Sequence, residues 1–345
     1  MREPDPSEPQ TRTAPLSSRD AREHALTHSQ PGPGSRPNDA RDLRVAVVGA
    51  GLMGHSIAGV FASAGTSVVI YDPDATALSV VHERVHSQLA GLKRDPCAVE
   101  RIELGSDLQA STVGADLVVE AIPERLALKQ QLFESLGRWL PNAVLATNTS
   151  SLRLADIVKR TEHPDRVIAT HWFNPPHLVP LVEVVPGDAT TPANVAWMID
   201  ILRQIGKLPV YVRKDIPGFI ANRIQHAMWR EAISLVEKGV CDADTVDLVV
   251  RNSFGLRLSA MGPLENADFV GLDLTLAVHE AIFPSLASDR EPSQLLRDMV
   301  AAGTLGAKTG AGFTTWSPER YEEAAERLEQ HLINQLKADL GVRGR

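Results

Sequence analysis

Residues 49–54 read Gly-Ala-Gly-Leu-Met-Gly, and their flanks constrain the fold more than any other part of the chain. A short apolar run, 45–48, precedes the glycines, as a strand covered on both faces would. A helical pattern with Ile57, Val60 and Phe61 follows and ends at Gly65. A second apolar run, 67–71, then closes on Asp72. Gly49 allows the tight turn, Gly51 lets the backbone approach a pyrophosphate, and Gly54 lets helix and strand pack closely. The helix N-terminus then faces phosphate charge, with Leu52 and Met53 completing the loop. Asp72, 18 residues beyond Gly54, is placed to accept hydrogen bonds from ribose hydroxyls and would repel a 2′-phosphate. NAD is therefore expected over NADP. The glycines alone are a weak signal, but strand, glycines, helix, strand and acid in that order are a strong one. A frame of this kind that has lost its cofactor is the plainer alternative.

The alternation continues. A third apolar strand is expected over 116–122, a helix over 126–139, and a fourth strand over 143–147 that runs into Asn148-Thr149-Ser150-Ser151. Alternating strands and helices imply a parallel, doubly wound sheet, with ligands beyond the carboxyl ends of its strands. After a strand over 209–212 the pattern becomes purely helical. Pro217 is read as opening a helix with Ile220, Ile224, Ala227, Met228 and Leu235 on one face, and Gly239 as closing it. The expected fold is α/β: a Rossmann-type doubly wound sheet, 41–213, followed by an all-α domain, 214–345. Residues 1–40, which hold seven of the 23 prolines and no hydrophobic segment, are read as a disordered tail.

Net charge is −8 with both signs interspersed, so no nucleic-acid partner is expected. No apolar run approaches a membrane span. Two cysteines, Cys97 and Cys241, form no disulfide framework, which suits a reducing, cytoplasmic setting. Residues 82–86, His-Glu-Arg-Val-His, match the HExxH zinc pattern, but they lie on the helix after the second strand, away from the expected cleft. They are read as a solvated helix face, and no metal is expected. Lys308-Thr309-Gly310 matches a penicillin-binding triplet whose companion motifs are missing.

One stretch carries chemistry. In Thr-His-Trp-Phe-Asn-Pro-Pro-His-Leu-Val-Pro-Leu-Val-Glu-Val, 170–184, His171 and Glu183 sit in otherwise apolar strands. A buried carboxylate must be satisfied. Pro175, Pro176 and Pro180 suit a rigid turn that would bring the two residues together. An imidazole backed by a carboxylate is a candidate general base. A purely structural pair is the alternative.

These pieces together resemble the L-3-hydroxyacyl-CoA dehydrogenase superfamily over 44–316, through VAVVGAGLMG, VVEAIPE, TNTSSL, HWFNPPHLVPLVEV, PGFIANR, MGPLENADFVGLD and GAKTGAGF. The resemblance implies that His171 is the general base, paired with Glu183, and that Ser150 and Asn222 hydrogen-bond the substrate oxygen or the base. It also places Glu124, Lys129, Asn148 and Lys308 around the cofactor. Plainer roles stand beside these: a helix N-cap near Leu152 for Ser150, a polar residue in a first helical turn for Asn222, and surface charge for Lys129 and Lys308. The resemblance further implies a homodimer formed through the helical domain. It implies NAD-dependent oxidation of an L-3-hydroxyacyl-CoA as the first expectation. The loop form NPPHLVP, with His177 and with only Lys93 and Arg94 basic after the second strand, is nearer to the L-gulonate, carnitine and pyridine-compound branches. A dehydrogenase of a small hydroxy compound is therefore the alternative. A non-catalytic, NAD-binding structural protein is the reading of another class.

Overall fold

A computed structural model describes residues 36–343. Eight strands form one sheet: β1 Arg44–Val48, β2 Ser67–Tyr71, β3 Ile102–Gly105, β4 Leu117–Glu120, β5 Val144–Thr147, β6 Val167–Trp172, β7 Leu181–Pro186 and β8 Leu208–Tyr211. Their order is β3-β2-β1-β4-β5-β6-β7-β8. All neighbours are parallel except β6 and β7, which are antiparallel. Strand order reverses between β1 and β4, where a doubly wound sheet opens its ligand crevice.

Both faces of the sheet are covered, and β1 shows how. Val45 and Val47 pack with Ile57 and Phe61 of α1, Gly54–Ser63. Ala46 and Val48 pack on the other side with Phe133 and Leu136. That is the two-residue alternation of a strand with helices above and below. Each large side chain so buried contributes roughly 1.5–3 kcal/mol. The remaining helices of this part are α2 Ala75–Ser79, α3 Val81–Gly91, α4 Leu108–Thr112, α5 Leu126–Trp139, α6 Leu154–Ile157 and α7 Pro192–Gln204.

The strand read as third is the fourth. β3, Ile-Glu-Leu-Gly, was not expected, because a four-residue edge strand with Glu103 and Leu104 exposed carries no long apolar run. The helix read as opening at Pro217 begins at Ala221 instead. Gly218 and Phe219 have φ of +76° and +46°, which right-handed helix cannot accommodate. Most of the expected tail lies outside the described residues, but its last five belong to the fold. The Arg36 guanidinium lies 4.9 Å from the Trp197 ring, and the Ala40 N–H donates to Gln204 at 2.8 Å. Helix α7 supplies the aromatic face and the acceptor that hold this segment.

Beyond β8 come α8 Ala221–Glu237, α9 Ala243–Asn252, α10 Pro263–Val270, α11 Leu272–Ile282, α12 Gln294–Ala301 and α13 Pro318–Arg343. Asp242 caps α9 by accepting from the Thr245 N–H, and Pro263 opens α10, as its fixed φ favours. This region buries few side chains of its own. Leu264 and Phe269 are 81% and 78% exposed. No helix among the described residues is long and apolar enough to cross a membrane.

Candidate active site

The glycine loop closes the crevice from one side. A Cβ on Gly49 would lie 2.6 Å from the Ala121 carbonyl oxygen, and one on Gly54 would lie 1.7 Å from the Gly49 oxygen. Both positions admit only glycine. At Gly51 a Cβ would meet nothing within 4 Å, so this glycine borders open space. No side chain caps α1, and a helix N-terminus without such a cap suits an anion. Leu52 is two-thirds exposed at the loop apex, whereas Met53 packs against the core.

Asp72 turns its carboxylate back on this loop, accepting from Ala50 N–H at 2.8 Å and Asp74 N–H at 2.9 Å. A carboxylate has about four acceptor positions, so about two remain for a diol. Open space at Gly51, an uncapped helix and an oriented acid fit a dinucleotide. His55, which the sequence reading passed over, steadies the loop by donating from Nδ1 to the Gly51 carbonyl at 2.6 Å. Burial lowers its pKa.

Across the crevice, His171 and Glu183 are register partners in β6 and β7. Nδ1 of His171 lies 2.7 Å from Oε2 of Glu183, and both side chains are almost fully buried. The other carboxylate oxygen accepts the N–H groups of Ile220 and Ala221, each at 3.0 Å. Burial pushes Glu183 up, but the bonds from His171, Ala221 and Ile220 outweigh it and hold the carboxyl below its ordinary value. An ionised carboxylate only accepts, so Nδ1 carries the proton. Nε2 then has its lone pair free, with no protein partner among the described residues. Phe173 and Phe219 flank the ring at 4.5 and 5.6 Å between centroids.

Ser150 lies in the loop after β5. Glu124 holds that loop: its Oε1 accepts from Thr149 Oγ1 at 2.6 Å, from Ser150 and Ser151 N–H at 2.9 Å each, and from Leu152 N–H at 3.4 Å. Burial works against the Glu124 charge, yet the Thr149 hydroxyl, the Lys129 ammonium and the loop N–H groups bring its pKa down to about 2. Asn222 Nδ2 donates to the Ser150 carbonyl at 3.2 Å and so ties α8 to the same loop. The Ser150 hydroxyl keeps no protein partner among the described residues. Ser150 caps no helix, since α6 starts at Leu154 after Arg153. Asn148 accepts the Trp172 N–H at 2.9 Å, joining the ends of β5 and β6.

Seven of the expected residues thus gather at one end of the sheet: His171, Glu183, Asn222, Ser150, Glu124, Asn148 and Lys129. Lys129 is not the surface charge of the plainer reading. Its ammonium is 1% exposed and bonds Glu120 at 2.5 Å and Glu124 at 3.2 Å, so it meets carboxylates rather than the crevice. Lys308 is not brought to this site. It lines a separate cavity of about 630 Å³ with Trp229, Val246, Met299, Phe313 and Trp316, all from the helical region. Sequence reading missed Glu120, Thr147 and Phe219. Glu120 carried the same signal as Glu183, an acid in an apolar strand.

The turn between β6 and β7 is seated from below. His177 Nδ1 lies 2.9 Å from Ser56 Oγ on α1. The Lys207 ammonium donates to the carbonyls of Pro176 and Val179 and lies 5.4 Å from the Trp172 ring centroid. His82 of the HExxH segment meets the Ile102 carbonyl at 2.8 Å, and no metal-holding cluster occurs among the described residues.

The chain matches two family models: "3-hydroxyacyl-CoA dehydrogenase, NAD binding domain" over 44–216, and "3-hydroxyacyl-CoA dehydrogenase, C-terminal domain" over 218–316. It is 32% identical over 299 residues to 5-formyl-3-hydroxy-2-methylpyridine 4-carboxylate 5-dehydrogenase of Mesorhizobium japonicum, covering 84% of this chain and 96% of the relative. It is 38% identical over 280 residues to a probable 3-hydroxybutyryl-CoA dehydrogenase of Bacillus subtilis, covering 78% and 96%. Among crystal structures, one of the pyridine-carboxylate 5-dehydrogenase, described as an NAD+-dependent dismutase, superposes with a TM-score of 0.79 at 29% identity. That match covers 84% of this chain and 96% of the other.

Proposed function

The chain belongs to the 3-hydroxyacyl-CoA dehydrogenase family, and from that premise we propose that it oxidises the hydroxyl of an L-3-hydroxyacyl-CoA, such as 3-hydroxybutyryl-CoA, with His171 as general base. It is an NAD-dependent dehydrogenase acting on CH–OH. The observation that carries the mechanism is the 2.7 Å contact between His171 and Glu183 with Nε2 left free. Bound NAD supplies the hydride acceptor. Nε2 takes the hydroxyl proton, and Glu183 stabilises the imidazolium that forms. The Ser150 hydroxyl and Asn222 donate to the substrate oxygen, where charge develops. The Gly51 backbone and α1 would hold the pyrophosphate, and Asp72 would hold the adenosine ribose.

A second reading concerns the substrate. The superposition at TM-score 0.79 on a pyridine-carboxylate dehydrogenase, together with the His177-seated turn, favours a small hydroxy compound without coenzyme A. Carnitine, L-gulonate and pyridine alcohols or aldehydes are its members. NADH formation followed with 3-hydroxybutyryl-CoA and with each of these separates the two: at least a hundredfold preference in kcat/KM for one class decides it.

Residues 41–213 act in this reading as the cofactor domain and 214–345 as the substrate and dimerisation domain. A homodimer is supported by the apolar surface that the helical region leaves uncovered, Leu264 and Phe269 foremost. Light scattering of the eluting peak gives twice the 37.4 kDa chain mass if so, and the chain mass if not. A cytoplasmic location and a place in fatty-acid metabolism go with the thioester reading.

A further inference from the structure

Glu120 is a carboxyl with no exposure at the centre of the sheet. It ends β4 opposite Val48 of β1 and Thr147 of β5, where strand order reverses. Its Oε2 accepts the Thr147 hydroxyl at 2.5 Å. Its Oε1 accepts the Ile122 N–H at 2.8 Å and the Lys129 ammonium at 2.5 Å. Burying an ion pair is costly, and well-packed apolar residues often serve stability as well or better. Stability alone gives no reason for this pair.

We propose that Glu120 is a positioning residue for Ser150, acting through Lys129 and Glu124; this rests on reading Ser150 as a donor to the substrate oxygen. Glu124 receives donors from four consecutive residues, Thr149 to Leu152, on one oxygen. Its other oxygen faces Lys129 at 3.2 Å, a longer contact than the 2.5 Å from Lys129 to Glu120. Glu120 therefore draws the ammonium away from Glu124 and leaves the Glu124 carboxylate turned to the loop. With Glu120 neutral, the buried ammonium has one anionic partner. It closes on Glu124, rotates that carboxylate, and carries the Ser150 loop with it. Burial pushes the Glu120 carboxyl up; it opposes the Glu124 charge too, but the Thr149 hydroxyl, Lys129 and the loop N–H groups bring the Glu124 pKa down to about 2.

The test is a cycle of Glu120→Gln in the wild-type and Ser150→Ala backgrounds, reading kcat, the KM for NAD and melting temperature. A displaced catalytic group costs heavily in rate, so Glu120→Gln lowers kcat by about tenfold in the wild type, with the KM for NAD within about twofold. In the Ser150→Ala background the further loss is under about twofold, because the residue acted through Ser150. No loss in wild type, or the same loss in both backgrounds, overturns the proposal. If Glu120→Gln does not fold, Thr147→Val removes the bond to Glu120, and with it the one from the Thr149 N–H, without changing charge. It is read in the same cycle with the same two outcomes. His171→Gln run beside these keeps the claims apart: retained turnover there refutes the base and leaves the Glu120 coupling to be judged on its own ratio.

Discussion

His171 and Glu183 stand directly opposite each other across the antiparallel pair β6 and β7, with 2.7 Å between Nδ1 and Oε2. The carboxylate does two jobs with its two oxygens. One orients the imidazole, and the other caps the first N–H groups of the helical region at Ile220 and Ala221. The base and the domain junction are thus fixed by one side chain.

Glu183→Gln retains the shape and an amide oxygen for the Ile220 and Ala221 N–H groups, but removes the charge that selects the His171 tautomer. We expect kcat to fall by about 10²–10⁴ with melting temperature nearly unchanged. Steady-state kinetics beside a thermal scan check this. Equal losses in both would make Glu183 a structural residue only.

The glycine loop separates folding from binding. Gly51→Ala meets open space, so the fold keeps its melting temperature while the KM for NAD rises by about tenfold or more. Gly54→Ala drives a methyl into the Gly49 carbonyl and costs at least the 1–3 kcal/mol typical of overpacking. Denaturant melts and NAD titrations of the two variants should show opposite patterns.

Acid destabilises the chain in two windows. His177 is lowered to about 4, first by burial and then by the nearby Lys207, His55 and Arg94 charges. Between its ordinary value of 6.5 and 4, the unfolded chain takes a proton that the folded chain refuses, so stability falls as pH drops through that range. Glu124 acts lower. Its contribution is whole above the ordinary 4.5 and is lost as pH falls towards 2. Melting temperature followed from pH 7 to 4 should decline, and His177→Asn should flatten that decline. An unchanged slope in the variant contradicts the assignment.

Much of this was legible in the residues. The glycines, the strand before them and Asp72 fix a parallel sheet, because each glycine answers a distinct steric demand. His171 and Glu183 could be paired because a proline-rich turn between two apolar strands allows few registers. Other features depend on contacts between distant segments. The plainer reading of Lys129, as surface charge, fails only once β4 places Glu120 beside it. Helix α8 starts late because Gly218 and Phe219 take left-handed backbone, and nothing in the local sequence marks Phe219 for that conformation. Lys308 follows its motif, yet the helical region carries it to a different cavity.

The direct measurement is turnover of His171→Gln with its best substrate, paired with NAD affinity by fluorescence titration. Proton transfer through Nε2 predicts a loss in kcat/KM of about 10²–10⁴ with the NAD dissociation constant within about twofold of wild type. Near-normal turnover, or a loss matched by lost NAD binding, would contradict it.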